Sequence, residues 1–144
     1  MRALLLAALF FVATAVFGIA RAGSQFETAA WQEACELSRY SCRSIKPPVV
    51  EYDETARMTG LLGYYLLGTR VVFLAVGLKP HAEYAVLVHE MVHYLQYVHA
   101  KYDPSVKLEK CFMESEAFSV SDQVAKRLGV PEMIRDGNLL DYGC

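Results

Sequence analysis

The stretch Ala85-Val86-Leu87-Val88-His89-Glu90-Met91-Val92-His93-Tyr94-Leu95 decides how this chain is read. Its first four residues are apolar on every side of a helix, as in helices buried at the centre of a domain. Pro80 suits the first turn of such a helix and Asp103-Pro104 lies beyond its end, so a helix is expected over 80–100. On it, His89 and His93 stand four residues apart, about 40° round the axis and one turn above each other. Two imidazoles so placed can grip one zinc ion from one side. Glu90, about 100° round from His89, reaches a water at the metal without being a ligand, as a general base must. By chance an HExxH string arises in about one chain per hundred of this length and composition. The plain alternative is a pair of core histidines satisfied by backbone or Tyr groups, but two histidines and a glutamate are costly in so apolar a helix.

A catalytic zinc needs a third protein ligand and one open position. A second helix is expected from Val106 to Leu128, closed by Gly129. It carries Glu114 and Glu116, which point about 200° apart, so only one of them can face the metal. The pattern His89-Glu90-x-x-His93, followed by Glu114-Ser115-Glu116-Ala117, resembles the gluzincin branch of the zincin metallopeptidases. Several gluzincin families place the ligand Glu three residues before a small Ala. That resemblance implies Glu114, with Ala117 allowing close approach to the active-site helix. Another gluzincin pattern, with Glu directly before Ala, would select Glu116, and the glutamate not used would lie on a solvated face or hydrogen-bond a ligand histidine. The likeness covers roughly residues 60–125. The chain departs from the larger gluzincins in lacking a sizeable C-terminal subdomain, and Phe118 stands where a small acidic residue is often found. In size it is similar to minimal zincin cores, including the ImmA/IrrE-like metallopeptidase domains. The metzincin branch fits less well: His99 follows His93, but no Gly stands between them.

Upstream, residues 60–77 read as a β-hairpin rich in Tyr, Val, Leu and Phe, with Gly68-Thr69 as a type II′ turn. The resemblance implies that a strand beside the active-site helix receives an extended peptide by β-addition, with Arg70 to Val76 or Leu61 to Leu67 as the edge. The plainer role of these strands is to cover the core. Pro47-Pro48 opens a further extended segment, Val49 to Asp53. Residues 25–38 form a short amphipathic helix, Pro131 opens a last turn, and the tail from Asn138 to Cys144 is irregular. Tyr64, Tyr65, Tyr94, Tyr102, His81 and His99 are candidates to stabilise an oxyanion, and nothing in the sequence singles one out.

The N-terminus reads as a signal peptide, residues 1–22: Arg2, an apolar run from Ala3 to Ala20, then Ala20-Arg21-Ala22. Its removal would take away two arginines and no acid, moving the net charge from −2 to −4. A mildly acidic domain without a basic stripe argues against nucleic acid as a partner, and after signal cleavage no stable membrane insertion is expected. Four cysteines fit export. Of their three pairings we favour Cys35–Cys42 with Cys111–Cys144. The first pair requires the first helix to stop near Ser38–Ser41, because seven helical residues would hold the Cα atoms about 10 Å apart. No paired CxxC points to a cysteine-bound zinc.

The sequence therefore predicts a signal peptide followed by one α+β domain, 23–144, of minimal zincin-like fold, with a small antiparallel sheet packed on the HExxH helix and a glutamate-bearing helix. The expected function is a secreted or periplasmic zinc-dependent hydrolase, a metallopeptidase acting on peptide or protein substrates. Zn2+ would be held by His89, His93 and Glu114, with Glu90 as catalytic base. The alternative is a non-catalytic zinc-binding module that serves in partner binding.

Overall fold

The computed structural model describes residues 24–130 and Cys144. The signal segment, the turn at Pro131 and the tail up to Gly143 lie outside the described residues.

Among the described residues three α-helices and a three-stranded mixed sheet make a small α+β fold. Helix α1 spans Gln25–Leu37. The Ser24 side chain caps it by accepting a hydrogen bond from the Glu27 N–H at 3.2 Å. It stops where the first disulfide requires: Ser38 turns extended, and Cys35 and Cys42 come within 5.7 Å at Cα and bond. Strand β1, Val49–Asp53, follows the two prolines. After a 3-10 turn at Ala56–Thr59 come β2, Gly63–Leu66, and β3, Val71–Ala75.

Helix α2 runs over Pro80–Ala100 and α3 over Lys107–Leu128. Gly129, at φ 71°, closes α3 with its N–H on the Ala125 and Lys126 carbonyls. Every residue of α2 from Ala85 to Gln96 is buried, because the sheet, α1 and α3 all pack against this one helix. That explains its lack of an apolar stripe: no side faces water along its middle.

The sheet differs from expectation in three ways. Its order is β1-β3-β2, and β1 pairs with β3 in parallel, Val49 opposite Val71. The hairpin is antiparallel as expected, but the sheet as a whole is mixed. A parallel neighbour needs a crossover, and residues 54–62 supply it by carrying the chain past β3 before the hairpin begins. Second, β3 is therefore central, so Arg70 to Val76 cannot serve as a free edge, whereas among the described residues β2 is paired on one side only and offers such an edge. Third, the turn is not type II′. The Thr69 N–H bonds to the Leu66 carbonyl at 3.1 Å, which makes Gly68, at φ 76°, the third residue of the turn. Positive φ there is the requirement of a type II geometry, which Gly meets without strain.

Gly63 fixes how closely β2 lies on α2. A Cβ at this position would meet Val86 Cγ1 at 2.8 Å, the Phe73 carbonyl oxygen at 3.0 Å and Glu90 Cγ at 3.1 Å. One of these contacts is backbone of the central strand, which cannot swing aside. Gly63→Ala is expected to destabilise the domain by about 1–3 kcal/mol, the usual cost of overpacking. Urea unfolding of the two proteins measures it, and equal midpoints would contradict the close approach.

Candidate metal centre

The central helix places His89 and His93 on one face, one turn apart, and α3 crosses that face. Their Nε2 atoms lie 3.0 Å from each other. Glu114 Oε2 lies 3.5 Å from His89 Nε2 and 3.4 Å from His93 Nε2. These three residues form a group that could hold a metal ion, all ligand atoms falling within 4.8 Å of one another. Both histidines are only 8% exposed. Ala117, fully buried one turn beyond Glu114, keeps the α3 backbone close to α2.

The outer nitrogens of the two rings reveal where their protons sit. The Gln96 amide donates from Nε2 to the Met113 carbonyl at 2.9 Å and to Glu116 Oε2 at 3.0 Å. Its Oε1 therefore faces His93 Nδ1, at 2.8 Å, and accepts that ring's N–H. His89 Nδ1 meets Ser121 Oγ at 3.4 Å, and the Ser121 hydroxyl donates in turn to the Phe118 carbonyl. Ser121 is left as the acceptor of the His89 N–H. In both neutral rings the lone pair then belongs to Nε2 and points at the shared centre.

Two lone pairs 3.0 Å apart, beside a carboxylate oxygen, repel one another. Glu114 Oε2 is buried and has no hydrogen-bond partner. The donor set thus demands a positive charge, and two imidazoles with a carboxylate suit zinc in chemistry and number. Without a metal a proton meets part of the demand. Burial alone would lower the His93 imidazole, but the Glu114 carboxylate against it and the Glu90 charge bring it up to about 9. Burial alone would raise the Glu114 carboxyl, but the two imidazoles hold it down at about 2.

Glu90 is 6% exposed and sits on the sheet side of α2, against Gly63. Burial pushes its carboxyl upward, the two histidines pull it down, and a hydrogen bond from the Tyr65 backbone N–H lowers it further; the balance is upward. A carboxylate raised by burial is a stronger base than one in water.

Glu116 is not brought to this centre. It faces the other way, with Oε1 3.0 Å from Arg39 Nε and Oε2 accepting from the Tyr40 hydroxyl at 2.8 Å and from Gln96. The six oxyanion candidates are not gathered here either. Tyr64 donates to Asp53, Tyr65 to the Thr69 carbonyl and Tyr94 to the Lys46 carbonyl. Tyr102 accepts from Arg39, and His99 bonds the Ser41 carbonyl and stacks on Tyr40. His81 is exposed on the first turn of α2. Phe118, one of the chain's departures from the gluzincin pattern, packs its ring 4.6 Å from that of His89.

Sequence reasoning missed Gln96 and Ser121. Gln96 carried a usable signal, since a fully buried amide three residues from a histidine on a helix meets it directly. Ser121 carried none, because its approach to His89 depends on how α2 and α3 cross.

Comparison with protein-family models, curated proteins and solved structures finds no match to this chain. Both expected disulfides are present, Cys111 and Cys144 lying 5.6 Å apart at Cα. Such bonds persist in oxidising compartments. Among the described residues no helix is long and apolar enough to cross a membrane.

Proposed function

We propose that this protein is an exported zinc-dependent hydrolase that cleaves peptide bonds, a minimal relative of the gluzincin peptidases. One observation carries the reading: His89, His93 and Glu114 turn three unshared electron pairs on one buried point, with Glu90 buried beside them under the free edge of β2. Zinc at that point would polarise both a water molecule and the scissile carbonyl. Glu90 takes the proton of the attacking water and delivers it to the leaving amine. The Tyr65 N–H holds the carboxylate in place for both transfers. The strand pairing directs the backbone groups of Gly63 and Tyr65 away from β3, and with the Tyr65 N–H given to Glu90 the Gly63 N–H and the Gly63 and Tyr65 carbonyls are left to meet a substrate. An extended substrate is recognised by β-addition there, next to Glu90.

The near-closure of the site favours one rival reading, a zinc module that binds partners without catalysis. Glu90→Gln separates the two. Cleavage of a broad peptide library by the wild type, lost in the variant while zinc content is retained, supports the hydrolase. A zinc-loaded wild type that cleaves nothing in the library supports the module.

The second disulfide ties into the metal site. Cys111 lies three residues before Glu114, on the same face of α3, and its bond to Cys144 anchors the start of that helix. Cys111→Ser is expected to lower zinc affinity several-fold, measured by competition with a chromogenic chelator. Unchanged affinity would remove the disulfide from the account of the site.

A further inference from the structure

Gln96 and Glu116 lie outside the metal-ligand set and outside the hydrolytic mechanism, yet both are tied to it. Gln96 is fully buried, on the turn of α2 that follows His93. Glu116 is clamped by three groups: Arg39 at 3.0 Å, the Tyr40 hydroxyl at 2.8 Å and the Gln96 amide at 3.0 Å. Arg39 and Tyr40 come from the segment just after α1, within the loop that Cys35–Cys42 closes.

We propose that Gln96 is a positioning residue for the metal centre, and that Glu116 sets which way round its amide sits. The proposal rests on the reading of His89, His93 and Glu114 as metal ligands. An amide has two ends that differ only in which one donates. If the Gln96 amide flipped, its oxygen would face the Met113 carbonyl and the Glu116 carboxylate, and its NH2 would face the N–H of His93. The contacts with Met113 and Glu116 would be repulsive whatever the state of the ring, and the NH2 would require His93 Nδ1 to accept, moving the ring's proton to Nε2. In the observed sense, Nε2 gives one hydrogen each to Met113 and Glu116, and Oε1 is left to accept from His93 Nδ1. That bond holds the proton on Nδ1, so Nε2 keeps the lone pair a metal needs. It also fixes the ring's rotation about its bond to Cβ. The carboxylate makes this choice of sense firm, because a bond to a charged acceptor is about twice as strong as one to a neutral acceptor. The ion pair at Arg39 thereby connects the α1 side of the domain to the tautomer of a ligand on α2.

The test uses zinc alone as the probe, on the disulfide-bonded protein. Gln96→Met keeps the volume and removes both hydrogen-bonding ends. Zinc affinity by chelator competition is expected to fall about 10–100-fold. In the zinc-loaded wild type, proton NMR should show a protected His93 Nδ1–H resonance, which Gln96→Met shifts or broadens away. Glu116→Gln, a milder change on the partly exposed side, is expected to move that resonance in the same sense with a smaller loss of affinity. Gln96→Met binding zinc within twofold of wild type, with the resonance unmoved, overturns the proposal. If Gln96→Met does not fold, Glu116→Gln decides: an unchanged resonance overturns the proposal and a shifted one supports it. A wild-type protein that binds no zinc instead overturns the metal reading on which the proposal depends, and is told apart by that result alone.

Discussion

Glu90→Gln is expected to lower peptide hydrolysis by about two to four orders of magnitude, the usual contribution of a positioned general base. The substitution is suited to the question because it changes little else. Gln matches Glu in shape, so the contact with Gly63 and the packing under β2 persist. Its carbonyl oxygen still accepts from the Tyr65 N–H. Glu90 is not one of the three converging ligands, so zinc content should stay at the wild-type level. What disappears is the ability to accept a proton from water, in a place where burial has made the carboxylate unusually willing to take one. Retained activity at wild-type zinc content would dismiss Glu90 as the base. Loss of zinc along with activity would instead mean that Glu90 supports the metal.

Zinc is expected to raise the unfolding temperature steeply, and Glu114→Ala to abolish most of that rise. His89, His93 and Glu114 come from two helices that meet only in the folded chain, so a metal held by all three would bind the native state and not the unfolded one. At a free zinc concentration 100 times Kd, the gain is about 2.7 kcal/mol. For a domain near 100 residues each kcal/mol moves Tm by about 4–8 °C, which gives a rise of about 10–20 °C. Glu114→Ala leaves two imidazoles on α2 and removes the link to α3, so added zinc should move Tm by a few degrees at most. Calorimetry with and without the metal, in a chelator-buffered series, measures both. Equal zinc-induced shifts in the two proteins would exclude Glu114 as a ligand.

Much of this site was legible in the residues. His89, Glu90 and His93 lie within five residues of one helix, so helical geometry alone sets their directions. The choice between Glu114 and Glu116 was open on geometry, since both lie on the same helix and only their opposition could be inferred. The crossing of α2 and α3 turns Glu114 inward and hands Glu116 to Arg39 and Tyr40. The hairpin was readable from its β-branched and aromatic runs, but the type of its turn was not, because a Gly can occupy either central position.

The sequence by itself determined the elements and the chemistry at hand. Pro80 and Gly129 bound the long helices, the apolar run at Ala85–Val88 places α2 in the interior, and the HExxH spacing puts two imidazoles and a carboxylate on one helix. Those are local facts, set by backbone dihedrals and by neighbours within a few residues. Only the tertiary structure decided that β1 joins β3 in parallel, that β2 rather than β3 offers a free edge, and that Gln96 and Ser121 orient the histidines. Each of these depends on contacts between residues far apart in the chain. Their geometry follows from how whole elements pack, and no local spacing encodes it.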